Sequence, residues 1–189
     1  MISVFEWSYL AGFVIGSAVR ARFTTGRRSQ SPPKKDPLLV LPTLGMVLIP
    51  LTYLLTPWFA FADYTLPIWL QALGLPIFVW AIWLLYRSHA DLGQNWHIDT
   101  EVAQSSHLVT EGVYRRTRHP MYAAHWLWAL AQGLLLGNWF AGWSMFILFI
   151  PFYFVRVKKE EQILLGHFGT QYKNYISQTG SILPKFKSH

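Results

Sequence analysis

The sequence has no cysteine and few charged residues, and only nine of its 189 residues are acidic. Without a thiol there can be no disulfide, no thiolate nucleophile and no cysteine-ligated metal. The chain also holds no GxSxG, P-loop or GxGxxG pattern, which argues against an ordinary hydrolase, NTPase or Rossmann enzyme. His97 and His125 have no partner at a ligand spacing such as HxxxH, so no metal site is expected. No basic segment precedes the first apolar run and one follows it, so the run reads as a retained helix rather than a cleaved signal peptide.

What the chain has is apolar surface: 52% hydrophobic residues against 13% charged, too apolar for an ordinary soluble domain. Its ten Trp and nine Tyr suit a membrane interface, where an amphipathic ring buries its body and wets its polar edge. Five apolar segments can be drawn, at 2–19, 38–62, 66–86, 121–136 and 139–155. A helix needs roughly 20 residues to cross a hydrocarbon core of about 30 Å, a length the second and third reach. Only Gly137 and Asn138 separate the last two, which predicts a tight antiparallel hairpin that either crosses the bilayer or dips into it. The fold expected is therefore all-α, a polytopic integral membrane protein of about five transmembrane helices. It forms a single domain over 1–189, with three spans in 1–86 and a catalytic region in 87–189. Pro42, Pro50, Pro57 and Pro76 are expected to kink spans two and three, and the Pro-rich stretch 29–37 to be a loop.

The basic residues fall in three groups: Arg20, Arg22, Arg27, Arg28, Lys34 and Lys35; Arg87, Arg115, Arg116 and Arg118; and Arg156, Lys158, Lys159, Lys173, Lys185 and Lys187. These account for all 16 Lys and Arg, and every one lies on the same side of a five-span chain. By the positive-inside rule the amino terminus is outside and the carboxyl terminus cytoplasmic. The net charge of +7 flanks apolar spans rather than striping a soluble helix, so anionic lipid headgroups are the expected partner and nucleic acid is not. The sequence carries no signature of oligomeric state.

Two polar constellations can carry chemistry. Arg156 and Glu160 stand one helical turn apart beside Glu161, placed either to pair with each other as a juxtamembrane salt bridge or to flank a polar ligand. In YRRTRHPMY, from Tyr114 to Tyr122, Pro120 biases His119 out of helix and opens the next helix; His119 is then a capping histidine or part of an anion-binding helix start. Arg115 and Arg116 read as cytoplasmic anchors, and His125 on its Trp-rich helix as a packing residue. DLGQNW, from Asp91, looks like a helix end with a glycine stop followed by a polar turn.

Together DLGQNW, HLVTEGVY at His107, RHPMY at Arg118, RVKKEEQILL at Arg156 and FGTQYKNY at Phe168 resemble, in order and spacing, the isoprenylcysteine carboxyl methyltransferase family. That family sits within a wider group that includes phospholipid N-methyltransferases, and the resemblance covers roughly the last hundred residues. It implies S-adenosyl-L-methionine bound in a cytoplasmic pocket, with a lipophilic, prenylcysteine-like substrate arriving sideways from the membrane. By motif, Leu108, Val109, Tyr114, His119, Pro120, Met121, Tyr122 and Glu160 would line the cofactor pocket and Arg156 would meet the substrate. Counting back from Gly112, the position where family members often carry His falls on Ser106, with His107 one place later, and both stay candidates. A carboxylate nucleophile needs no general base, whereas an amine would need one, with Glu161 or His119 nearest. Three other classes share parts of this pattern: a phospholipid amine N-methyltransferase, an NADPH-dependent enzyme like the membrane sterol reductases, and a non-enzymatic scaffold.

Overall fold

A computed structural model of the protein describes residues 3–24, 36–93 and 107–185. Among these the architecture is all-helical, without a strand. Helix α1, Val4–Thr24, opens on a reciprocal capping box in which Ser3 N donates to Glu6 Oε2 at 2.6 Å and Glu6 N to Ser3 Oγ at 3.2 Å. α2 spans Pro37–Leu55 and α3 Ile68–Leu92. α4, Pro120–Leu136, and α5, Trp139–Phe168, make the expected hairpin, and a short α6, Thr170–Gln178, follows. α2, α3 and α5 are long and apolar enough to cross a membrane. α4 is buried along much of its length, Trp128 and Leu135 included, and forms the centre of the bundle.

The hairpin turn follows from its two residues. Gly137 takes φ 56°, in the left-handed region. Asn138, fully buried, accepts from the N–H groups of Phe140 and Ala141 and donates to Phe59 O and Asp63 Oδ1, both at 2.7 Å. Two glycines let the arms close, since a Cβ on Gly142 would stand 3.2 Å from Gly133 Cα. Trp58, Phe61, Trp69 and Trp139 lie exposed on segments that meet at this basic-free turn, as an interfacial aromatic belt requires.

The second apolar segment departs from expectation. Its helix stops at Leu55 instead of running to 62, because Pro57 holds Thr56 extended at φ −139° and ψ 157°. Pro37, expected in a loop, is instead the first residue of α2, capped by Asp36. Expectations for residues 29–35 and 94–97 lie outside the described residues, as does Ser106.

Inside α2, Pro50 acts less as a kink than as a source of unpaired carbonyls. Ile49 N–H reaches back to Leu44 O in one wide turn over Leu44–Leu48. Pro50 has no N–H to give, so Gly45 O in that register and Met46 O in the α register lose their donor. Both find one across the bundle. Gly45 O accepts from Ser144 Oγ at 2.8 Å and Gln132 Nε2 at 2.9 Å. Tyr9 OH lies 3.2 Å from Met46 O and 3.0 Å from Gln132 Oε1. Gln132 Nε2 also donates to Ala141 O at 2.7 Å, so one fully buried amide ties α1, α2, α4 and α5 together. Gly45 permits the approach, since a Cβ there would stand 2.7 Å from Met145 Cα.

Replacing Gln132 with Leu removes the buried bonds to Gly45 O, Ala141 O and Tyr9 OH and leaves Gly45 O to Ser144 Oγ alone, for an expected loss of about 1–3 kcal/mol. Reversible unfolding of the detergent-solubilised protein measures it, and an unchanged midpoint would refute the hub.

Candidate active site

The last turns of α5 carry both sequence-predicted carboxylates past the apolar stretch, toward the start of α4. Pro120 opens α4 as expected, and His119, just before it, holds φ −123° and ψ 58°, outside the helix. Its ring is only 5% exposed and lies between the two glutamates: Nε2 is 3.1 Å from Glu161 Oε1, and Nδ1 is 3.8 Å from Glu160 Oε2. His119 makes no side-chain cap on α4, so its geometry answers to the glutamates rather than to the helix end. Tyr122 OH donates to Glu160 Oε1 at 2.6 Å, and Arg156 Nε donates to the same oxygen at 3.2 Å. Arg156, its side chain 10% exposed, also gives Nη1 to Asp36 Oδ2 and stacks 6.0 Å from the centre of the Phe152 ring.

Arg156, Glu160, Glu161, His119 and Tyr122 are thus one cluster. Of the other sequence candidates, Pro120 is buried and Met121 half-buried beside it. Met121 O is occupied by His125 Nδ1 at 2.7 Å; His125 stacks on Phe149 as a packing residue. Tyr114 is buried, and its OH donates to Ser88 O at 3.2 Å, which places the side chain against α3. Its phenol is pushed above the ordinary value by burial first, and then by Tyr175, Glu160 and Asp91. Leu108 and Val109 are half-buried and His107 exposed, all in irregular chain ahead of the site.

Several residues went unnoticed in the sequence. Asp36 is one, and its only local signal is the Asp-Pro pair that starts a helix. Arg118, named in the sequence only among the basic groups and in the RHPMY motif, is a half-buried clamp. Its Nε donates to Glu161 Oε1 at 3.1 Å and its Nη1 to Thr179 O at 2.5 Å. The carboxyl-terminal segment is laced to this loop by its backbone as well, with Arg118 N donating to Gly180 O and His119 N to Ser181 O, both at 2.9 Å. Tyr175 OH donates to Tyr114 O at 2.6 Å, and burial keeps that phenol protonated by pushing its pKa up, against a smaller opposing effect of Arg118. Tyr172 OH, beside Glu161 and Arg118, is buried without a hydrogen-bond partner among the described residues.

Residues 72–166 match the Isoprenylcysteine carboxyl methyltransferase (ICMT) family over half of the chain. The chain belongs to this family. It is 34% identical over 89 residues to the protein-S-isoprenylcysteine O-methyltransferase of Schizosaccharomyces pombe, covering 47% of this chain and 38% of that one. It is 30% identical over 121 residues to the human protein of that name, covering 63% and 43%. The chain thus spans about two fifths of the length of these curated relatives. The fold is similar to the solved structure of the eukaryotic intramembrane Ras methyltransferase ICMT, with a TM-score of 0.65 at 21% identity, covering 97% of this chain and 69% of that one. The family match ends inside α5 and includes Arg156, Glu160 and Glu161, whereas Asp36 and the carboxyl-terminal lacing lie outside it.

Because Arg118 joins Glu161 to the Thr179 carbonyl, Arg118→Ala should cost about 2–3 kcal/mol and free the segment after α6. Faster amide exchange over residues 179–185 is the expected readout, and unchanged protection there would show that the backbone lacing alone suffices.

Proposed function

We propose that this protein is an integral membrane S-adenosyl-L-methionine-dependent methyltransferase that esterifies the carboxylate of a lipophilic, prenylcysteine-like substrate. The observation that carries the reading is the convergence of Arg156, Glu160, Tyr122 and His119 at the polar end of the bundle. The donor set fits the cofactor. A sulfonium with an α-ammonium is cationic, and here the Glu160 carboxylate is held against Tyr122, whose ring also meets His119. When bound, S-adenosyl-L-methionine supplies an electrophilic methyl group.

The chain's own residues do the rest. Arg156 orients the substrate carboxylate through charge-assisted hydrogen bonds, and Glu160 binds the cofactor's ammonium. Pro120, Met121, Leu108 and Val109, with His107 or Ser106, line the cofactor pocket. Tyr122 and Phe152 exclude water from the reacting groups, whose alignment supplies most of the rate. A carboxylate is already ionised, so Glu161 and His119, held 3.1 Å apart, need not take a proton; for an amine substrate one of them would be the base. An open groove of about 490 Å³ lies along α5 on the Glu161 side, where Phe154, Val157 and Leu165 offer an apolar tail a surface beside Lys158 and Gln162.

All five long helices belong to the membrane part, with the amino terminus outside and the basic face against anionic cytoplasmic headgroups. Residues 1–86 hold three spans, and 87–189 form the catalytic region. Native absence of cysteine makes orientation easy to test. A single Thr65→Cys protein should label with impermeant maleimide from outside, and Gln171→Cys only after the membrane is opened; the reverse pattern would invert the topology.

For the activity, protein in lipid nanodiscs should transfer radiolabelled methyl to an S-prenylated N-acetylcysteine as base-labile ester. Arg156→Ala and Glu160→Ala should each lower the rate about 100-fold or more while the fold survives. Activity kept by both variants would sink the site assignment. Base-stable label in phospholipid would instead mean N-methylation, and thermal stabilisation by NADPH but not S-adenosyl-L-methionine a reductase-like enzyme.

A further inference from the structure

Arg156 is held by two carboxylates of different origin. Glu160 comes from the next turn of its own helix, at the spacing any Arg–Glu pair of α5 would use. Asp36 comes from the head of α2, 120 residues away in the chain, and its side chain keeps only 21% exposure. Its two oxygens do separate things. Oδ2 meets Arg156 Nη1, while Oδ1 accepts from Leu38 N at 3.0 Å and caps α2. Capping needs an oxygen, whereas the ion pair needs a charge.

The two carboxylates also differ in how firmly they are committed. Glu160 Oε1 accepts from Tyr122 OH as well as from Arg156 Nε, so moving it breaks two bonds and strands a phenol. Asp36 can release Arg156 by turning Oδ2 away while Oδ1 stays on the α2 cap. Electrostatics between the carboxylates points the same way. One guanidinium here already meets two carboxylates, with Arg20 of α1 also within electrostatic reach of it, and a third carboxylate brought to the same guanidinium is repelled by both. Exchanging one carboxylate for another leaves the balance as it was.

We propose that Asp36 is an internal rival for the Arg156 clamp, so that a substrate carboxylate binds by taking the place of Asp36 Oδ2. The inference rests on the reading of Arg156 as the carboxylate clamp. Asp36 is then a positioning and specificity residue. A ligand with a carboxylate at the right height can replace it, and a neutral isostere cannot. The exchange makes and breaks no covalent bond; one ion pair succeeds another.

Two substitutions keep the α2 cap and remove the charge: Asp36→Asn, and Asp36→Ser, whose shorter side chain also withdraws from Arg156. The test is calorimetry in nanodiscs with an S-prenylated N-acetylcysteine and with its carboxamide, on wild type, both Asp36 variants and Arg156→Ala. Both Asp36 variants should bind the acid about fivefold more tightly and the carboxamide no differently. In methyl transfer, KM for the acid should fall by the same factor while kcat moves less than about twofold. If wild type prefers the acid but neither Asp36 variant binds it more tightly, the exchange is overturned and the clamp stands. If Arg156→Ala prefers the acid as strongly as wild type does, the clamp is overturned and the exchange with it.

Discussion

The missing N–H of Pro50 is the constraint on which the rest of this bundle depends. In apolar surroundings a carbonyl without a donor is costly, and α2 carries two of them on consecutive residues, Gly45 and Met46. They dictate where Gln132, Ser144 and Tyr9 must be, and so how α1, α4 and α5 lie against α2. The contact is close only because residue 45 has no side chain. From it the position of the site follows by arithmetic. α2 and α5 run antiparallel past Gly45 and Met145. Asp36 lies about 13 Å from Gly45 along one helix and Arg156 about 16 Å from Met145 along the other, at roughly 1.5 Å per residue. The two therefore arrive at nearly one level, and a hydrogen-bond debt in mid-bundle sets the register of an ion pair at its end.

At that end the charges are arranged to stay partnered while largely buried. Arg118 and Arg156 each hold one of two consecutive glutamates, and His119 lies between the carboxylates. Consecutive helical residues point about 100° apart, so Glu160 and Glu161 serve different neighbours. Glu160 faces Tyr122 and Arg156, while Glu161 faces Arg118 and the carboxyl-terminal segment. The division separates a face shared with Tyr122 and Arg156, which the proposed function gives to ligands, from a face that secures the tail. It also explains why Arg118, though part of the same motif as His119, is a structural cation: its remaining hydrogen bonds go to the carbonyls of Ile176 and Thr179.

The parts of this design that were legible in the sequence are those encoded locally. The Arg156–Glu160 spacing, the Pro120 helix start, the Gly137–Asn138 turn and the five apolar segments each depend on residues within a few positions of one another. The motifs of the last hundred residues were enough to point to the family. Asp36 was not legible, because nothing within a turn of it or of Arg156 records a partnership across 120 residues. The end of α2 was misjudged for a related reason. Hydropathy continues through Phe59 and Phe61, but Pro57 stops the helix, and those aromatics cover the hairpin turn, where Phe59 O receives Asn138 Nδ2. The Pro50 hub escaped because a proline announces which donor is missing and not which side chain will replace it.

The one-sided charge takes on a narrower meaning once partners are assigned. Lys158 and Lys159 are exposed on α5 and suit headgroups, whereas Arg156 and Arg118 are withdrawn from solvent by their own carboxylates. Topology rules count all of these alike, since they respond to charge alone. The chemistry depends on burial. A guanidinium open to water holds a carboxylate weakly, because the solvent screens it and competes for its N–H groups. Arg156 escapes this by standing one helical turn beyond the Phe152 ring, with Tyr122 between it and the core. Its carboxylate partners keep it charged there, and the same partners are what any incoming ligand must contend with.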